Sequence, residues 1–187
     1  GIEEYRKQGY LPEALVNFIA LLGWNPGDDQ EILIITELIQ KFELSKVQKA
    51  GAIFDSAKLR WMNSLYIKKL PSQKLGMLVE PILEEKGLIE KKPGEPLRSK
   101  DGRILPLNYL NGICNIMRER LETLIDVVDL VDFFFQKPRY EKRLLFWQDM
   151  TEPELIKSLE NILKVLSSLA QPWLAPQINH ILLREAE

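Results

Sequence analysis

Apolar residues along this chain recur at helical spacing, and no stretch alternates long enough for a strand. Residues 9–24, GYLPEALVNFIALLGW, place Leu11, Leu15, Phe18 and Leu22 on one stripe, with Pro12 in the first turn and Gly23 placed to end the helix. Asn25-Pro26-Gly27 supplies a turn, and Asp28, Asp29 and Glu31 make an acidic loop without the spacing of a calcium loop. Thr36 is expected to cap a short helix from Glu37 to Phe42, and Ser45 with Gln48 reads as a capping box for another. After an Ala50-Gly51-Ala52 turn, Asp55 caps a helix whose inner stripe is Leu59, Met62 and Tyr66.

Pro71 disfavours helical geometry at Leu70 and Ser72 can cap a new helix, so a subdomain boundary is expected there. The helix that follows carries Leu75, Leu78, Val79, Ile82 and Leu83, contains Pro81, and can end at Gly87. Residues 90–106 are broken by Pro93, Gly94, Pro96 and Asp101-Gly102 and read as a loop able to hold a small hairpin. Helix returns from Leu107 to about Thr123, with Leu110, Cys114, Met117, Leu121 and Leu124 in phase and Arg118 and Arg120 on opposite flanks, free to pair with Glu119 or Glu122. Phe133-Phe134-Phe135 reads as core. Thr151 and Glu154 announce a helix bearing Leu155, Leu159, Ile162, Leu163, Leu166 and Leu169, and a last helix near Pro176 holds the sole histidine, His180. The expected fold is mainly α, with helical subdomains at residues 1–70 and 71–187.

Charge changes this picture. Lys41 to Lys74 holds eight bases against two acids, a net charge of +6, while residues 1–40 carry −5 and those after 75 carry −3. Such an island is a candidate polyanion footprint, or a solvated lysine face kept for solubility. On the Asp55-capped helix, Lys58, Trp61 and Lys68 fall within about 80° of one another, apart from the core stripe. The chain's net charge of −2 argues against a general nucleic-acid coating protein, so RNA contact should be local.

Other chemistry is missing from the sequence. The single cysteine, Cys114, lies on an apolar stripe and fits packing in a reducing compartment. One histidine far from it gives no catalytic pair, and no glycine-rich phosphate loop is present. No apolar run approaches a bilayer span and no signal peptide opens the chain, so a cytoplasmic protein without membrane partners is expected. The opening Gly1 and a helical pattern still running at Glu187 suggest a fragment.

Two blocks together identify a family. GYLPEALVNFIALLGW, followed by the acidic turn, and VQKAGAIFDSAKLRWMNSLYI resemble bacterial glutamyl-tRNA synthetases just after their KMSKS-type motif. NIMRERLETLIDVVDLVDFFF and the helix after Thr151 continue the likeness. The resemblance implies an all-helical stem-contact fold at the inner corner of tRNA, then a helical anticodon-binding subdomain. It implies tRNA(Glu) as partner, with Lys46, Lys58, Trp61 and Lys68 near tRNA backbone or sugar and Arg120 reaching the anticodon.

Core packing remains the alternative for Trp61, and an intrahelical acid pair for Arg120. Gln48 stands where the family often has a small hydroxyl residue. The catalytic nucleotide-binding domain and a second anticodon-binding subdomain are not recognised, so the fragment is expected to need no cofactor and to make no glutamyl-adenylate, and the resemblance implies a monomer. ATP and Mg would serve the parent ligase, whose catalytic domain would be this chain's partner in cis. A helical protein-interaction module that lost RNA binding is the alternative function.

Overall fold

Eight α-helices and one two-stranded sheet make up the regular structure of residues 1–48, 51 and 53–168, the part described in the computed structural model. The mainly α class is as the apolar spacing predicts. Residues 1–138 form one compact unit and Arg139 opens a second. The Ala50-Gly51-Ala52 turn, Lys49, Leu169 and the last helix with His180 lie wholly or partly outside the described residues.

Helix α1 (Ile2–Lys7) is not signalled by the apolar pattern; it has Glu3 and Glu4 in its first turn and Arg6 and Lys7 in its last, which suits the helix dipole. Helix α2 (Pro12–Gly23) follows, then α3 (Ile35–Lys41), and α4 (Ser56–Lys69) packs across α2. Asp55 caps α4 as expected, its carboxylate accepting the Ala57 and Lys58 N–H groups at 2.9 and 3.0 Å. Leu59 and Met62 meet Tyr10, Leu15 and Phe18 in one cluster, and Tyr66 and Ile67 enter the larger core. Helices α5 (Ser72–Glu85), α6 (Tyr109–Met117) and α7 (Val127–Phe135) supply the rest of that core through Leu75, Val79, Leu83, Ile113 and Phe135.

Several local starts differ from expectation. Helix α3 begins after Ile34, whose N–H donates to the Glu37 carboxylate at 2.9 Å, and Thr36 lies inside the helix. Among the described residues Ser45 caps no α-helix: Leu44–Lys46 makes one 3-10 turn, and the backbone is then taken by a bridge between Val47 and Trp24 and by the Gln48 N–H donating to the Gly23 carbonyl at 2.8 Å. Helix α6 stops at Met117 and passes into 3-10 turns at Arg118–Arg120 and Leu124–Asp126, yet Leu110, Cys114, Met117, Leu121 and Leu124 are all buried. Phe135 is fully buried while Phe133 is 49% exposed, because successive helical side chains point about 100° apart and one face cannot bury three in a row.

Other signals are realised. Gly87 ends α5 at φ +66°, with the Leu88 N–H reaching the Leu83 carbonyl and the Gly87 N–H the Glu84 carbonyl. Strands β1 (Ile89–Glu90) and β2 (Arg98–Ser99) form the small antiparallel hairpin, Ile89 opposite Ser99. In the second unit the Thr151 N–H donates to the Glu154 carboxylate at 2.8 Å and opens α8 (Glu152–Ser168), which buries Leu155 and exposes Leu159, Ile162 and Leu163.

Gly9 joins α1 to α2 at φ +80°, and a Cβ there would sit 2.7 Å from the backbone nitrogens of both Leu124 and Ile125. Its carbonyl accepts the Leu124 N–H at 2.9 Å. Backbone on both sides leaves nothing flexible to give way. Gly9→Ala should therefore lower the unfolding free energy by about 2–4 kcal/mol in urea, against about 1 kcal/mol for Gly27→Ala. Gly27 has a similar φ of +92° and open space around its Cβ position, so it isolates the backbone term.

Tyr66 gives a second test. Its buried hydroxyl lies 2.8 Å from both Asn17 Oδ1 and the Leu33 carbonyl, and burial, with Glu13 and Glu37 adding, pushes its pKa up to about 12. The unfolded phenol ionises near 10, so stability tied to this group is present below that pH and lost as pH rises from about 10 through 12. The loss reaches roughly 2–3 kcal/mol. Denaturant midpoints measured between those pH values should fall, and should fall less for Tyr66→Phe.

Candidate nucleic-acid interface

The outward face of α4 carries Lys58, Trp61 and Lys68, with about 15 Å of helical rise between the two lysines. Trp61 is 44% exposed and belongs to none of the buried clusters. Lys46 lies apart on its 3-10 turn, paired with Glu43 at 2.7 Å. Arg120 is exposed at the end of the Arg118–Arg120 turn, which packs against α4, and forms no ion pair among the described residues.

Folding alters the charge of this region. Five of the eight bases between Lys41 and Lys74 hold carboxylates: Lys41 on Asp28, Lys46 on Glu43, Lys58 on Glu31 at 2.5 Å, Arg60 on Glu122 at 2.7 Å and Lys68 on Glu119 at 3.3 Å. Only Glu43 among those acids belongs to the basic stretch itself. The acidic loop after α2 and the turn after α6 bring the others, so the net positive charge read along the chain is largely paired on the surface.

Arg118 does not share the surface with Arg120. It turns inward and half-buries its guanidinium, donating from Nη1 to the Lys68 and Leu70 carbonyls at 3.3 and 3.0 Å and from Nη2 to Ser72 Oγ at 2.5 Å. It thereby satisfies the carboxyl-terminal carbonyls of α4, where Leu70-Pro71 offers no glycine cap. Glu122, an expected partner for these arginines, instead accepts Arg60, and its carbonyl accepts Asn63 Nδ2 at 2.6 Å. The uncapped end before Pro71 is the one sequence signal that asks for such a donor, and it does not say which residue answers.

Elsewhere in this unit, a cleft of about 860 Å³ lies between α5 and the hairpin loop, lined in part by Met77, Glu80, Lys91, Pro96, Leu107 and Asn111. Cys114 is buried, which pushes its thiol up to about 11 and leaves it a packing residue. Among the described residues no group of His, Cys, Asp and Glu could hold a metal ion, and no helix is long and apolar enough to cross a membrane.

A family model described as an anticodon binding domain matches residues 74–187. The chain belongs to that family, in its glutamyl-tRNA synthetase branch. A second model, the class I tRNA synthetase (E and Q) catalytic domain, matches residues 1–61. The glutamate–tRNA ligase of Moorella thermoacetica is 39% identical over 134 residues, covering 72% of this chain and 26% of that protein. Glutamate–tRNA ligase 2 of Caldicellulosiruptor saccharolyticus is 34% identical over 186 residues, 100% of this chain and 36% of that protein. The crystal structure of the synthetase from Elizabethkingia anophelis superposes with a TM-score of 0.70 at 28% identity, covering 98% of this chain and 33% of that one. The chain thus spans about a quarter to a third of the length of these relatives. The interaction-module alternative is not favoured by these matches.

For this synthetase-family chain, replacing Arg118 tests the joint between α4 and α5. Arg118→Ala leaves two carbonyls without their donor and should lower stability by about 2–3 kcal/mol in urea, with Arg118→Lys recovering part of the loss. Arg120→Ala should stay within about 0.5 kcal/mol of wild type.

Proposed function

We propose that this chain is the tRNA-binding part of a glutamate–tRNA ligase, in which the longer enzyme joins glutamate to tRNA(Glu) in the cytoplasm. Residues 1–70 serve as the stem-contact part and residues 71–187 as the anticodon-binding part, joined in cis to the catalytic domain of a monomer. The observation that carries the reading is the anticodon-binding match over residues 74–187, which takes in Arg120. Lys46, Lys58 and Lys68 are assigned to phosphates, which set position without reading sequence. The half-exposed Trp61 can pack on a ribose or base, and the Arg120 guanidinium has the planar donor fork to read a base edge in single-stranded RNA. The contribution to aminoacylation is positional, holding one reactant where the other can reach it.

ATP and Mg belong, in this reading, to the remainder of the longer enzyme. The carboxylates at the candidate face are engaged by its lysines, Glu31 by Lys58 and Glu119 by Lys68, and belong to no metal-binding group among the described residues. No step is assigned to this chain through either species.

Binding of labelled tRNA(Glu) and of an unrelated tRNA at two salt concentrations tests the proposal. Lys58→Ala/Lys68→Ala should weaken both complexes about tenfold and flatten their salt dependence, while Arg120→Ala removes a preference for tRNA(Glu) worth about 1–3 kcal/mol. Equal binding by wild type and the double-lysine variant would overturn the assignment of this face.

A further inference from the structure

The two lysines at the ends of the α4 face are each held by an acid from a distant segment. Glu31 reaches Lys58 from the loop after α2, and Glu119 reaches Lys68 from the turn after α6. These pairs are partly exposed, and exposed pairs contribute little to stability. Helix α4 is fixed instead by the buried side chains of Leu59, Met62 and Ile67 and by the clamp of Arg118. The effect of Glu31 and Glu119 therefore falls on what Lys58 and Lys68 can attract.

We infer that Glu31 and Glu119 are built-in anions that compete with RNA phosphates for Lys58 and Lys68 and hold down the affinity of this face for RNA. The inference rests on the RNA-binding reading above and concerns how tightly RNA is held. A flexible polyanion that engages one lysine exchanges one ion pair for another and gains little. A folded RNA that offers phosphates to both ends of α4, with a sugar or base over Trp61 between them, collects contacts the acids cannot supply. A flexible polyanion thus has one carboxylate to displace and the folded RNA two, so the acids hold down the affinity of both.

Fluorescence anisotropy with labelled poly(U) and with tRNA(Glu) tests this, using Glu31→Gln, Glu119→Gln and the double variant. Glu80→Gln is the control, since it removes the same charge from a pair with Lys91 elsewhere in the unit. The double variant should bind poly(U) about threefold tighter at low salt, with a log–log salt slope steeper by about 0.7 for the one lysine it engages, and tRNA(Glu), which engages both lysines, about tenfold tighter. The thermal midpoint should not move. An equal gain in Glu80→Gln would reduce the effect to net charge and overturn the inference. Unchanged poly(U) binding alongside tight wild-type binding to tRNA would sink the inference and leave the RNA-binding reading standing. Failure of every form to bind either RNA at low salt would remove both.

Discussion

Backbone groups at buried helix ends have no partner within their own helix, and the first unit depends on side chains that supply one. Helix α2 starts at Leu11, whose N–H donates to Asn63 Oδ1 at 2.8 Å across 52 residues of sequence. The Leu33 N–H, on the way into α3, donates to Asn17 Oδ1 at 2.8 Å. The last carbonyls of α4 accept from Arg118, and the Glu122 carbonyl accepts from Asn63. Asn17 and Asn63 are fully buried, so each bond forms where an unmet group would be costly. Three of these four connections end on α4. Its rotation is fixed by polar bonds as well as by packing, and a fixed rotation puts Lys58, Trp61 and Lys68 on one outward face.

The apolar positions of this fold were legible because burial follows local periodicity. Leu59, Met62 and Tyr66 face inward as their spacing predicts, and the five residues from Leu110 to Leu124 are buried even though two 3-10 turns interrupt the expected helix. Caps whose donors lie within three residues were also readable, as at Asp55 and Thr151. Ser45 failed by the same logic, since a local cap loses when a distant segment claims the backbone, here Trp24 bridging Val47. Arg118 and Arg120 differ by two positions in sequence and separate into a half-buried clamp and an exposed fork. No periodicity distinguishes them, because the distinction is made by the carboxyl-terminal carbonyls of α4 nearly fifty residues earlier in the chain.

The candidate face was legible as a set of residue types and illegible as a field. Net charge along a sequence counts neighbours in the chain, whereas the potential at a surface counts neighbours in space within a Debye length of about 10 Å. Acids from two other segments close onto the basic stretch, so its long-range pull on a polyanion is weaker than the sequence indicates. Recognition by such a face has to come at contact, where a phosphate displaces a carboxylate and a flat apolar surface finds its counterpart. On the proposed RNA-binding reading Trp61 would take a larger share than any one lysine, because stacking does not depend on salt and its place between Lys58 and Lys68 would let it act only on a partner already seated at both.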